Sequence, residues 1–430
     1  MMVLRKIVLV FVSLLLFSPA ALSLGQSVGP EPLPMEVYKA RRQAVLDLME
    51  TGTAVLYAQA GANHEAGFRS DSNFWYLTGI NIEGAILILA PGEYDKEVLL
   101  LPPRDLDAER WTGAKPSLSE ALEKSLGFDR VYRTSRLDRT LVNNMKHEPT
   151  LHMISGLVPP TSPVPQDLKL YRDASARIPG VSIVNSSHFV EHMRMIKSDD
   201  EVAAIQRAID VTYQGLTDLI AALRPGVTEF QLDGVLEESF KDQGAQYQAF
   251  PAIVGSGFEA TVLHYETRNT TVEAGELLLL DVGAEWDHYC ADISRTLPVD
   301  GTFTPEQAKV YDVVLEAQKA AIAAVKPGMT VREVHEIARD VIRKAGYVDD
   351  FIHGTSHHLG LDVHDVADYG MPLKPGMVIT IEPGIYLPDS EIGVRIEDDV
   401  LVTRNGSRVL SAEIPRTRAD VESWIKSARQ

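Results

Sequence analysis

Four acidic residues stand at the ends of apolar, strand-like runs: Asp281 and Asp292 in the stretch 277–299, Glu382 and Glu397 in 378–402. A hairpin turning at Trp286-Asp287 places Asp281 directly opposite Asp292, and one turning at Asp389-Ser390 places Glu382 opposite Glu397. Directly opposed residues hold their Cβ atoms about 5 Å apart. Four carboxylates gathered this closely beside Leu277–Leu280 and Val378–Ile381 repel one another and lose hydration unless cations sit among them. Trp286-Asp287 is not a favoured two-residue hairpin turn, and a bulge there would shift the register. A second polar run, His353 to Asp365, carries four histidines: His353, His357, His358 and His364. One imidazole from that run joined to four carboxylates, with no thiolate, is a donor set for a pair of Mn²⁺, Co²⁺, Fe²⁺ or Zn²⁺ ions roughly 3.5–4 Å apart, an arrangement that activates water for hydrolysis at neutral pH. Arg395 precedes Glu397 by two residues, shares its strand face and stands opposite Gly384, so it could orient Glu397 or a substrate carbonyl. Tyr386 is open to either a site role or strand packing.

These residues need a scaffold that presents two similar strand pairs to one point. Ser198 to Glu201 forms a capping box for a helix reaching about Leu223 and ending at Pro225-Gly226, and Thr228 with Gln231 opens another. The same plan follows again, with Thr304 to Gln307, a stop at Lys326-Pro327-Gly328, and Thr330 to Glu333. Arg224-Pro225-Gly226-Val227-Thr228 matches Lys326-Pro327-Gly328-Met329-Thr330, and each copy leads to an apolar strand and two acids. This is an internal duplication, and it predicts a pseudo-two-fold domain with a site between its halves. Upstream, a helix over 36–49 and an alternation of strands (54–57, 85–89, 98–101, 182–184) with short helices read as a separate α/β domain without a glycine-rich phosphate loop.

The chain has 430 residues, 45% of them hydrophobic, long enough to split into two cores. Arg5 and Lys6, the apolar run Ile7 to Phe17 and small residues near Ala20, Ala21 and Ser23 have the layout of a signal peptide over residues 1–25, too short to span a bilayer, so export to the periplasm or the medium is expected without a stable membrane anchor. The net charge is −19, and loss of Arg5 and Lys6 makes it more negative, which disfavours nucleic acid and anionic membranes as partners. The lone Cys290 cannot form an intrachain disulfide.

Together the runs 280–284, 291–296, 353–365, 381–386 and 394–398, with Phe68 to Gly79, Arg104-Asp105 and Trp111-Thr112-Gly113 upstream, resemble the pita-bread metallopeptidases, and among them the Xaa-Pro aminopeptidases (aminopeptidase P). The resemblance spans nearly all of the mature chain. It implies an α/β N-terminal domain of the creatinase type over 34–190, followed by an α+β pita-bread catalytic domain with internal pseudo-two-fold duplication over 197–415. It implies two divalent metal ions, Mn²⁺ first among the candidates. Asp281 would chelate one, Asp292 and Glu397 would bridge both, and His357 and Glu382 would complete the other. Glu382 would also move the proton to the leaving nitrogen. His264 and His364 would contact peptide substrates and stabilise the tetrahedral intermediate, and His353 would line the pocket; His358 receives no role. The implied activity is release of the N-terminal residue from peptides with proline second, the alternatives being an Xaa-Pro dipeptidase or a non-catalytic peptide-binding protein of the same fold. A homo-oligomer, dimer or tetramer, is compatible with the resemblance.

Overall fold

The computed structural model describes residue 30 and residues 33–58 and 67–430; the expected signal peptide lies outside them. Residues 53–185 build a six-stranded sheet with spatial order Arg130–Arg133, Glu97–Leu101, Ile86–Leu89, Thr53–Tyr57, Thr150–Met153, Ser182–Asn185. The three strands from 53 to 101 are antiparallel, and the outer ones run parallel to their neighbours. Successive strand residues alternate between two cores, Leu87 and Leu89 on one face, Ile86 and Ile88 on the other. Burial on both faces is why these strands read as unbroken apolar runs. The core that holds Leu87 and Leu89 runs on without a break through Ile205, Leu216 and Leu280 into the second half of the chain.

That half contains the duplicated unit. Helices Asp199–Ala222 and Glu229–Asp242 pack together, as do Pro305–Ala324 and Val331–Ala345, and all four begin with complete capping boxes. The two Pro-Gly turns form the same backbone clasp. Gly226 donates to the carbonyl of Val272 and Val272 to Val227; Gly328 donates to Leu373 and Leu373 to Met329, all at 2.7–2.9 Å. Gly226 and Gly328 have φ of +89° and +92°, a conformation glycine adopts at no steric cost, which explains why both copies keep it.

After each clasp comes an antiparallel pair, Leu277–Val282 with Ile293–Pro298 and Val378–Ile381 with Asp398–Thr403. In the second unit Gly384 faces Arg395 and Ile381 faces Asp398, which puts Glu382 and Glu397 directly opposite one another as expected. The first unit departs from expectation. Its turn is Asp287-His288, both residues left-handed at φ +50° and +65°, and Trp286 pairs with Tyr289. This is the backbone of a type I′ hairpin turn, adopted here without glycine. The turn therefore sits one residue later, Asp281 faces Ser294 instead of Asp292, and Asp292 lies diagonally across the strand pair. Because the partner moves by two residues, the side-chain faces are preserved and both carboxylates still point the same way.

Gly283 lies where this hairpin is tightest: a Cβ there would stand 1.8 Å from the carbonyl oxygen of Ala291. Gly283→Ala should therefore force apart the strands bearing Asp281 and Asp292. We expect at least about 3 kcal/mol of destabilisation, the upper part of the range for overpacking, in denaturant unfolding; a midpoint within experimental error of wild type would contradict the close approach.

Candidate active site

The strand ends converge on a cleft of about 430 Å³ whose wall includes Asp281, Asp292, Glu382 and Glu397, His264, His353, His357 and His364, and Arg395. Phe250, Pro251, Ile253, Leu263 and Val363 form an apolar side. Tyr386 is buried behind this surface. Its hydroxyl bonds His353 and Arg395 and its ring packs with Ile253 and Leu263, so it positions lining residues instead of lining the pocket itself. His358 also points away; its buried ring packs near Tyr369, and burial followed by the Lys197 charge lowers its pKa to about 4.

The carboxylates show the strain that their crowding predicts. Burial, then Glu397 and Asp281, push Asp292 well above the usual carboxylate range. Burial, then Glu382 and Asp281, do the same to Glu397. Burial raises Glu382 to about 8 despite the pull of Arg395. Asp281 Oδ1, Asp292 Oδ1 and Glu397 Oε1 are buried and accept no hydrogen bond from the described residues. Buried acceptors without partners are rare because each forfeits its hydration. Here three come from the one cluster whose charge calls for cations.

The imidazole completes the donor set. Nδ1 of His357 donates to the carbonyl of His358 at 3.1 Å, which leaves the Nε2 lone pair facing Asp292 Oδ2 at 3.3 Å and Glu382 Oε1 at 3.6 Å. Burial, then His364, lowers the His357 pKa to about 4, so the ring is neutral at pH 7 and available as a ligand. One donor atom each from Asp292, His357 and Glu397 lie within 4.8 Å of one another. This chemistry fits divalent cations.

Arg395 organises the part of the cluster that holds Asp281 and Glu397. Its Nη2 donates to Asp281 Oδ2 at 2.7 Å, its Nε to Ser294 Oγ at 2.9 Å and its Nη1 to Tyr386 Oη at 2.9 Å. Ser294 in turn donates to Glu397 Oε2 at 2.8 Å, and Tyr386 to Nε2 of His353 at 2.9 Å. Arg395 thus orients Glu397 through Ser294, the residue that the shifted register sets opposite Asp281. Gly384, opposite Arg395, makes room for Tyr386 and His353: a Cβ there would lie 2.5 Å from the tyrosine hydroxyl and 3.0 Å from the imidazole. The role of Ser294 was hidden in the sequence because the expected register paired Asp281 with Asp292. His264 and His364 are both exposed on the cleft wall, with the ring of His364 4.2 Å from that of His357.

Residues 203–404 match the metallopeptidase family M24, and residues 38–152 match the aminopeptidase P N-terminal domain. The chain is 34% identical to the Xaa-Pro aminopeptidase of Escherichia coli (strain K12) across 91% of its own length and 98% of that protein. It is 32% identical to Xaa-Pro aminopeptidase 3 of Homo sapiens across 84% of its length and 77% of that protein's. A substituted Escherichia coli aminopeptidase P solved in complex with substrate has a TM-score of 0.82 at 32% identity, covering 93% of this chain and 100% of that one. With two domains of matching order and a donor cluster suited to divalent cations, the chain belongs to metallopeptidase family M24, within its aminopeptidase P group, and is a metal-dependent exopeptidase.

Proposed function

We propose that the chain releases the N-terminal residue from peptides with proline in the second position. The observation that carries this reading is the convergence, in one cleft, of five donors among which three buried carboxylate oxygens lack any partner among the described residues. Asp281, Asp292, His357, Glu382 and Glu397 would hold two divalent cations, and the oxygen-rich set favours Mn²⁺ while remaining compatible with Co²⁺, Fe²⁺ or Zn²⁺. Bound there, such ions supply Lewis acidity at the scissile carbonyl and a water acidic enough to attack at neutral pH.

The protein's own groups do the rest. Glu382 lines the cleft and would take a proton from the attacking water and pass it to the leaving nitrogen. His264 and His364 are accessible donors for the substrate and for the oxyanion that develops on its carbonyl. His353 is held by donation to the Gly354 carbonyl at 2.7 Å and by Tyr386, and burial followed by Arg395 lowers its pKa to about 4, so it meets the substrate as a neutral ring. The apolar side, Phe250 to Val363, suits the N-terminal side chain and a proline ring. Arg5, Lys6 and the apolar run behind them support export, and no helix among the described residues is long and apolar enough to cross a membrane.

The test is hydrolysis by the Mn²⁺-loaded protein of an Xaa-Pro-Yaa tripeptide, an Xaa-Pro dipeptide and an Xaa-Ala-Yaa tripeptide, each against chelated protein. The expected result is metal-dependent release of Xaa from the proline tripeptide above both others. Preference for the dipeptide would make the protein a dipeptidase, equal cleavage of the alanine peptide would remove the proline specificity, and no cleavage of any would leave peptide binding alone.

A further inference from the structure

The polar run after Gly354 is held in two ways. Residues 355–359 are tied to the strand Val378–Ile381 and to Glu382 by backbone hydrogen bonds: Glu382 to Thr355 at 2.8 Å, Thr380 to His357 at 2.9 Å and Leu359 to Val378 at 3.1 Å. That ladder fixes His357 and ends there. Residues 361–365, which carry His364, are tied back by two backbone bonds, Asp365 to the His358 carbonyl at 2.9 Å and Gly360 to the Asp362 carbonyl at 3.2 Å, and beyond these by side chains from far away in sequence. Arg69 donates to the Leu361 carbonyl at 2.6 Å. Ser72 donates to Asp362 Oδ1 at 2.6 Å, Arg194 to Asp362 Oδ2 at 2.7 Å, and Lys197 to Asp365 Oδ2 at 2.9 Å. Arg194 also donates to Asp365 Oδ1, and its other terminal nitrogen donates to Asn73 Oδ1 at 2.6 Å.

Asp362 and Asp365 bracket His364, and one guanidinium reaches both. Arg194, in the helix Ser187–Met195, is buried, as is Asp365. His364 itself has no hydrogen bond among the described residues, only ring contact with His357, so its place in the cleft is set by the loop that bears it. Both aspartates take their bonds from Nη2, whose two N–H bonds diverge in the guanidinium plane, and Nη1 on Asn73 fixes that plane; a lysine ammonium, a freely rotating point of charge, has no second nitrogen to anchor its direction.

We propose that Arg194 is a positioning residue for His364: together with Ser72 and Asn73 of the N-terminal domain, it clamps the two aspartates flanking that histidine and so makes the N-terminal domain part of the catalytic geometry. The inference rests on the role given above to His364 in the cleft. Small displacements of a group that acts on the reacting atoms cost rate more than binding.

The experiment measures kcat, KM and bound metal for the full chain loaded with Mn²⁺, acting on the proline tripeptide, in Arg194→Lys, Ser72→Ala, His364→Ala and the two double variants with His364→Ala. Arg194→Lys should lower kcat roughly 10- to 100-fold, the usual range for a partner that orients a functional group, with KM and metal content unchanged. Ser72→Ala should give a smaller fall of the same kind, and it decides the matter by itself if the Arg194 variant does not fold. In the His364→Ala background neither change should cost anything further. If both losses multiply fully onto that of His364→Ala, or arise through metal content, the clamp does not act through His364 and the inference fails alone. If His364→Ala is as active as wild type, the proposed role of His364 fails and takes the inference with it.

Discussion

Asp292→Asn should lower turnover by at least roughly 1,000-fold and leave the protein folded. Removing a single polar contact to charge developing in a transition state already costs roughly 10²–10³ in rate. Asp292 contributes more, because it is the buried carboxylate next to both His357 and Glu397 and one of its oxygens has no hydrogen-bond partner among the described residues. Asparagine keeps the shape and removes the charge. The same substitution carries a second signature. In metal-free protein Asp292 is pushed far above its ordinary pKa by burial and by its carboxylate neighbours, so replacing it relieves repulsion. The metal-free variant should melt at or above the temperature of metal-free wild type, while the rise in melting temperature on adding Mn²⁺ should shrink or vanish. Retained activity would remove Asp292 from the site, and a metal-free variant that melts well below wild type would show that the residue is structural.

Metal removal should have the next largest effect, and its pH dependence has a definite sign. Glu382 is raised to about 8, and Asp292 and Glu397 are raised well above the usual range, whereas their unfolded counterparts titrate near 4. Between these limits the folded metal-free protein holds more protons than the unfolded chain, so its stability falls as pH rises from about 4 towards 8. Every tenfold gain in proton affinity on folding corresponds to about 1.4 kcal/mol, so the cluster should weaken the metal-free fold by several kcal/mol over that window. Cations replace those protons, so the loaded protein should be far less sensitive over the same range. Denaturant unfolding of chelated and loaded protein at several pH values measures this. A metal-free stability that is flat or rises from pH 5 to 8 would contradict the electrostatics of the cluster.

How legible the site was in the sequence depended on where each contact is made. Glu382 and Glu397 could be paired because their turn, near Asp389-Ser390, lies midway between them and the strands run without a bulge. Asp281 and Asp292 could be placed on one face but not in register, because the hairpin turns at Asp287-His288, two non-glycine residues in left-handed conformation that propensity does not anticipate. Ser294 was missed for that reason. The duplication was visible in the two Pro-Gly pentamers, and the clasp each forms with Val272 or Leu373 supplies the physical cause of the repeat. The clamp on residues 361–365 was not legible at all. Arg194 meets Asn73 across 121 positions and Asp365 across 171, separations that no local pattern encodes. The opposition of Arg395 and Gly384 was correct, but the glycine was expected to leave room for the Arg395 side chain, and the space it leaves serves Tyr386 and His353.

The central claim, that these five side chains form a two-ion site on which hydrolysis depends, is tested most directly by calorimetric titration of chelator-treated protein with Mn²⁺ while hydrolysis of the proline tripeptide is followed on the same samples. Two equivalents should bind per chain, with no activity before metal is added, and both the binding and the activity should be lost in Asp292→Asn. Full activity in the chelated protein, or titration with no uptake of Mn²⁺, would contradict the claim.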